Sequence, residues 1–256
     1  MKHSSSLSLS IIFTLIILLL IQFIFFGIVA LLFHTSLNMI MLFYCITIIF
    51  HAIVLLVLLK MKGYFFSEET GKTFSKINPA NIITLIRISS IPTLFFLFLN
   101  HQTSEIKTII IYFLAFIFLT DFFDGLVARK FKEITQMGKY LDSSSDYLLL
   151  VFTSIIYLIY NLIPIWLFSL VITRLLFIGV TILILSMVKK QFIYIITFLG
   201  KCFIFVTMVL YVLKLIPFLI IQNDIVSYII QILEYVVGAI AVISLIERIV
   251  LIFKKN

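Results

Sequence analysis

Asp121-Phe122-Phe123-Asp124-Gly125-Leu126-Val127-Ala128-Arg129, eight intervening residues, Gly138, three more, Asp142, three more, Asp146: this stretch holds four of the five aspartates in a chain of 256 residues. Helical spacing sets Asp121 and Asp124 on one face as i and i+3, and Asp142 and Asp146 on another as i and i+4. Gly138 reads as the break between two helices. Returning side by side, these would aim all four carboxylates at one point. Such a cluster repels itself, and in low dielectric some members would protonate unless cations were present. Oxygen-only ligation suits a hard ion, Mg²⁺ or Mn²⁺, and two such ions could clamp a diphosphate. Gly125 and Ala128 follow Asp121 at i+4 and i+7, small enough to let a ligand approach the helix, and Arg129 offers a fork for phosphate oxygens.

Around this stretch the chain is greasy. It is 63% apolar and only 12% charged, with a mean hydropathy of +1.28, far from the average of soluble domains. A helix needs roughly 20 apolar residues to cross the hydrocarbon core. Eight runs qualify: Ile11 to Phe33, Met39 to Leu59, Ile82 to Leu99, Thr108 to Val127, Leu141 to Leu162, Ile165 to Val188, Phe192 to Leu213 and Ile225 to Phe253. The expected class is an all-α integral membrane protein. The first run is too long for a signal peptide and lacks a small-residue cleavage site, so it is expected to be a retained anchor. Two spans therefore come first. A polar stretch from Lys60 to Asn81 follows, expected to include a short helix in the headgroup layer and to end at Asn78-Pro79.

Lysine and arginine set the expected orientation. With an even number of spans and the N-terminus inside, Lys60, Lys62, Lys72, Lys76, Arg129, Lys130 and the basic residues near the C-terminus fall on the cytoplasmic side, with Lys107 and Lys214 opposite. Both termini and the aspartates are then cytoplasmic, in a multi-pass protein of the cell (inner) membrane. The net charge of +8 reads as topology plus attraction to anionic membrane lipids. Nucleic acid is a poor partner, because the basic residues are spread over several loops. Cys45 and Cys202 read as buried free thiols. No histidine has a partner at ligand spacing, so His51, inside the second span, reads as structural.

The aspartate stretch matches, position for position, D-x2-D-G-x2-A-R-x8-G-x3-D-x3-D, and so resembles the signature of the CDP-alcohol phosphatidyltransferase family. The resemblance implies a six-helix catalytic membrane domain over 77-256, preceded by an accessory segment, 1-76, of two extra transmembrane helices and an interfacial linker. It implies that Asp121, Asp124, Asp142 and Asp146 hold two divalent metals, Mg²⁺ or Mn²⁺, and that Asp146 also acts as general base. It implies donor contacts from Gly125, Ala128, Arg129 and Thr135. The segment Asn81-Ile-Ile-Thr84-Leu-Ile-Arg87, with Pro92 beyond it, resembles the family's first core helix, where Thr84 and Arg87 would face the nucleotide. Read without the family, Arg87 is equally an interfacial snorkelling residue.

Two basic residues lie inside apolar spans, Arg174 and Lys201, each costing roughly 2.5 to 3.5 kcal/mol on insertion scales. They read either as partners of the aspartates or as a pocket for an anionic acceptor. Pro164-Ile-Trp166, Val171-Ile-Thr-Arg174 and Gly200-Lys201 are similar in order and spacing to phosphatidylglycerophosphate synthases, although Ser143, Tyr147 and Leu175 stand where those enzymes usually carry proline, lysine and glutamate. The implied substrates are CDP-diacylglycerol and a phosphorylated alcohol, glycerol 3-phosphate, with CMP released; a homodimer is compatible with the sequence. Inositol phosphate, serine or a choline-type alcohol is the alternative acceptor, and a cation transporter or a silent scaffold the alternative class. A cationic Arg129 beside a cation path argues against transport.

Overall fold

The structure, a computed structural model, describes residues 2–67, 71, 73–101, 103–130, 134–189, 197–219 and 224–254. In chain order the helices are α1 (Lys2–Leu32), α2 (Leu37–Lys60), α3 (Pro79–Ser89), α4 (Ile91–Leu99), α5 (Ser104–Lys130), α6 (Gln136–Ile159), α7 (Ile165–Lys189), α8 (Phe198–Leu219) and α9 (Asp224–Lys254). Six stretches among the described residues are long and apolar enough to cross a membrane. Each of the eight expected apolar runs is mostly helix in its described part, and the chain is an all-α integral membrane protein.

Asparagine and proline fix where the central helix starts. Asn78 Oδ1 accepts the backbone N–H of Asn81 at 3.3 Å, and Pro79 takes the first helical position, where its missing N–H leaves nothing unsatisfied. The third apolar run is not one helix but two. Pro92 cannot donate a backbone hydrogen bond, and the chain turns at Ser90 between α3 and α4. Together Pro79–Leu99 is the most enclosed candidate span, 72% buried against 33% or less for the other five.

The chain divides into two compact units, Met1–Leu148 and Leu149–Asn256. In the first, α3 packs on α5 and α1, and α4 packs on α5 and α2. Phe26 of α1, Phe43 of α2 and Phe96 of α4 form an aromatic knot, with Phe26 and Phe43 stacked at 3.9 Å and Phe43 edge-on to Phe96 at 5.3 Å. Because lipid is as apolar as leucine, close packing and polar contacts hold such helices together, each polar contact contributing about 0.6 to 2 kcal/mol. Here those contacts include Thr93 to Gln22 and His51 to Ser89. Among its described residues the linker holds a 3-10 turn, Lys62–Tyr64, and an antiparallel bridge between Phe66 and Thr73. Gly71 turns that bridge with a φ of +66°.

In the second unit, α9 packs on α7 and α8. Trp166 lies flat against α9, stacked on Tyr235 at 5.6 Å, and a Cβ built on Gly238 would meet its ring at 2.8 Å, so glycine is needed for the approach. Lys214, expected in a loop outside the membrane, instead lies buried in α8. It is ion-paired with Glu234 of α9 and donates to the carbonyl of Leu162. The helix runs past it to Leu219, with Pro217 inside. Tyr157 donates to the carbonyl of Tyr211, whose own hydroxyl meets Ser154. Both cysteines are free; Cys202 is half-buried, but Cys45 faces outward rather than into the core.

Candidate functional site

Arg87 is where the described part of the acidic motif converges. It sits in the last turn of α3 with only 2% of its side chain exposed, and its Nη2 donates to Asp142 Oδ1 at 2.7 Å. Its Nη1 lies 3.6 Å from Asp146 Oδ1. The i, i+4 spacing of the two aspartates on α6 makes this possible, since it stacks them on one face within reach of one planar guanidinium. Asp142 remains 51% exposed and Asp146 22%. A carboxylate has about four lone-pair positions, and Arg87 occupies a minority of them.

A second contact joins α3 to the start of α6. Thr135, buried just before that helix, accepts the Gly138 N–H at 2.9 Å as an N-cap, and Asn81 Nδ2 donates to the same hydroxyl oxygen at 3.1 Å. A Cβ on Gly138 would stand 2.6 Å from Asn81 Oδ1 and 2.9 Å from Thr135 Oγ1. Gly138 therefore lies inside α6, and its role is close approach rather than the helix break expected from sequence. The described non-helical residues come earlier, at Ile134 and Thr135.

Asp121, Asp124, Gly125, Ala128 and Arg129 all fall on the backbone of α5, the helix on which α3 packs; their side chains lie outside the described residues. α3 thus touches both helices that carry the motif. Thr84 is buried, with its hydroxyl donating to the Ala80 carbonyl at 3.2 Å. Asn81, to which the sequence reading gave no role of its own, is a member of this cluster. Its signal was present, three residues after the Asn78 cap and two turns before Arg87 on a face that carries Thr84 as well.

Arg174 belongs to a different setting. Fully buried in α7, it donates from Nε to Ser244 Oγ at 3.0 Å and from Nη2 to the Gly200 carbonyl at 3.3 Å, and its guanidinium carbon lies 3.9 Å from the ring centre of Phe203. Lys201, expected within a span, is exposed in the first turn of α8. Ser244 is a partner the sequence gave no reason to choose.

The two described carboxylates, Asp142 and Asp146, are partly accessible oxygen donors gathered on one cation, a chemistry that fits a hard divalent metal better than a soft one.

A polytopic helical membrane protein with spaced aspartates on two helices, both met by a third, defines a narrow class. Residues 77–246 match the family model of the CDP-alcohol phosphatidyltransferases, and the chain belongs to that family. Among its relatives is a CDP-diacylglycerol--glycerol-3-phosphate 3-phosphatidyltransferase of Rickettsia bellii, 40% identical over 73 residues, which are 28% of this chain and 39% of the relative. A probable phosphatidylglycerophosphate synthase of Mycobacterium tuberculosis is 33% identical over 129 residues, 48% of this chain and 60% of the relative. The matches thus span between about two fifths and three fifths of the length of these curated relatives.

Proposed function

We propose that the protein transfers a phosphatidyl group from CDP-diacylglycerol to glycerol 3-phosphate with release of CMP, at the cytoplasmic face of the cell membrane. The observation that carries this reading is the complete family motif together with the Arg87 cluster that gathers Asp142 and Asp146. The names of the relatives support the acceptor. Asp146 takes the proton of the acceptor hydroxyl, the oxygen attacks the lipid-side phosphorus in line, and the bond to the CMP oxygen breaks. Asp121, Asp124, Asp142 and Asp146 would hold two divalent ions, which would supply Lewis acidity and charge neutralisation for the leaving phosphate. Arg87 holds both α6 carboxylates in place. Gly125, Ala128, Arg129, Thr84 and Thr135 serve the cytidine diphosphate, and Arg174 and Lys201 the acceptor phosphate.

A second reading rests on Arg174. Its contacts with Ser244, Gly200 and Phe203 are those of a helix-packing residue, in which case the acceptor is an uncharged alcohol or serine. One experiment tests both. Purified protein in detergent with CDP-diacylglycerol and Mg²⁺ is offered glycerol 3-phosphate, inositol phosphate, serine and choline-type alcohols while CMP release is followed. Release with glycerol 3-phosphate alone, with its KM raised in Lys201→Ala, supports the first reading. Release with an uncharged alcohol establishes the second, and no release with any acceptor removes both.

A further inference from the structure

The segment before residue 77 lies outside the family match, yet several of its polar side chains bond to the helix that carries Asn81 and Arg87 or to the residues that flank it. We infer that α1, α2 and the linker form a brace that fixes α3, and that His51 is its principal positioning residue; this deepens the proposed function and rests on it. Four observations converge.

His51 is buried in the middle of α2, an expensive place for an imidazole in a membrane helix. Its Nδ1 lies 2.9 Å from the Thr47 carbonyl, which can only accept, so Nδ1 carries the proton and Nε2 of the neutral ring accepts from Ser89 Oγ at 2.7 Å. Ser89 is two residues beyond Arg87 on α3. One turn further, Thr93 of α4 is held by Gln22 of α1.

At the other end of α3, a row of serines on α1 grips the approach to the helix. Ser10 Oγ accepts the Ile77 N–H at 3.2 Å, Ser8 Oγ accepts from Lys62 Nζ at 2.9 Å, and Ser6 donates to the Ser75 carbonyl at 3.2 Å. The i, i+2, i+4 spacing spreads these contacts over one turn, so linker and helix start are held together.

The linker then reaches the start of α6. The Gln136 N–H donates to the Phe66 carbonyl at 3.3 Å, and Ser67 bridges to Thr135, the residue that caps Gly138 and meets Asn81. Tyr64 sits edge-on to Tyr140 at 5.5 Å. Beneath these contacts one apolar cluster contains Leu7, Ile11, Leu15 and Leu18 of α1, Leu58 of α2, Leu85 and Ile88 of α3, and Met137 and Leu141 of α6. The same segment therefore touches α3 and α6 on either side of the Arg87–Asp142 contact, and a shift of α3 would change both that distance and the Asn81–Thr135 pair.

The full-length chain in lipid vesicles tests this with His51→Ala, Ser89→Ala, the double variant and His51→Gln, whose amide oxygen can accept from Ser89 in place of Nε2. The brace predicts a KM for CDP-diacylglycerol raised about tenfold in each single variant, no further rise in the double, and recovery in His51→Gln. The KM for the acceptor should stay unchanged. Hydrogen exchange read without any substrate should accelerate in peptides covering 79–89 and 135–140 and not in 198–219. Unaltered exchange in 79–89 overturns the brace whatever the reaction proves to be. A proportional rise of both KM values, or additive single effects, overturns it as well. Accelerated exchange in the variants of a protein whose wild type releases no CMP would instead retain the brace and remove the proposed reaction.

Discussion

Arg87 and Lys214 are both buried and both meet carboxylates, and they are built to opposite ends. Arg87 is almost wholly enclosed while Asp142, its partner, is half exposed. Lys214 and Glu234 are enclosed together, at 9% and 13% exposure, with the Leu162 carbonyl completing the lysine's shell. In the second pair each charge answers the other, and little ligand capacity faces outward. In the first a fixed cation holds acids that remain open to a third party. A closed pair reads as a fastening between helices, and an open one as a place where something else binds.

That contrast can be broken most decisively at Asp146. Asp146→Asn should lower CMP release by about 10²- to 10⁴-fold, the range for loss of a positioned base, while CDP still protects the protein against heat. Wild-type rates in this variant would mean that the open pair is not the reactive one. Chelation sharpens the same point: EDTA should stop CMP release, and Mg²⁺ or Mn²⁺ should restore it.

The closed pair should behave inversely. Lys214→Met leaves Glu234 enclosed without its cation and should cost about 3 to 5 kcal/mol in unfolding experiments. Adding Glu234→Leu should recover most of that loss, with CMP release per folded molecule unchanged throughout. A double variant that stays as unstable as the single would show that the pair is more than a fastening.

Smallest in effect is Gly138→Ala. The added methyl has to displace Asn81 or Thr135, at about 1 to 3 kcal/mol for an overpacked contact, and a raised donor KM should accompany the loss in stability. An unaltered thermal midpoint would mean that α3 and α6 can separate without consequence, which the tightness of the contact argues against.

The apolar runs were legible because a period-free stretch of about 20 residues has few alternatives to a membrane helix. The acidic motif was legible because five aspartates are few and four share one pattern. Other features needed coordinates. The turn at Ser90 was hidden inside a run apolar from end to end, with Pro92 its local sign. Lys214 looked like a loop residue because its partner, Glu234, lies 20 positions away on another helix, and sequence spacing carries no information about pairing between helices. Gly138 was read as a helix end because glycine serves both as terminator and as contact point; only the neighbouring Asn81 separates the two. Arg87 was expected at the nucleotide, and its contact with Asp142 and Asp146 depends on how α3 meets α6.

Trp166 is the chain's sole tryptophan, and it rests on Gly238 and Tyr235 within the second unit. Intrinsic emission excited at the red edge is consequently a reporter of the α7–α9 contact, with no indole in residues 1–148 to contribute. Melting curves followed by that signal and by circular dichroism would separate loosening around one indole from loss of helix in the whole chain, with no label attached.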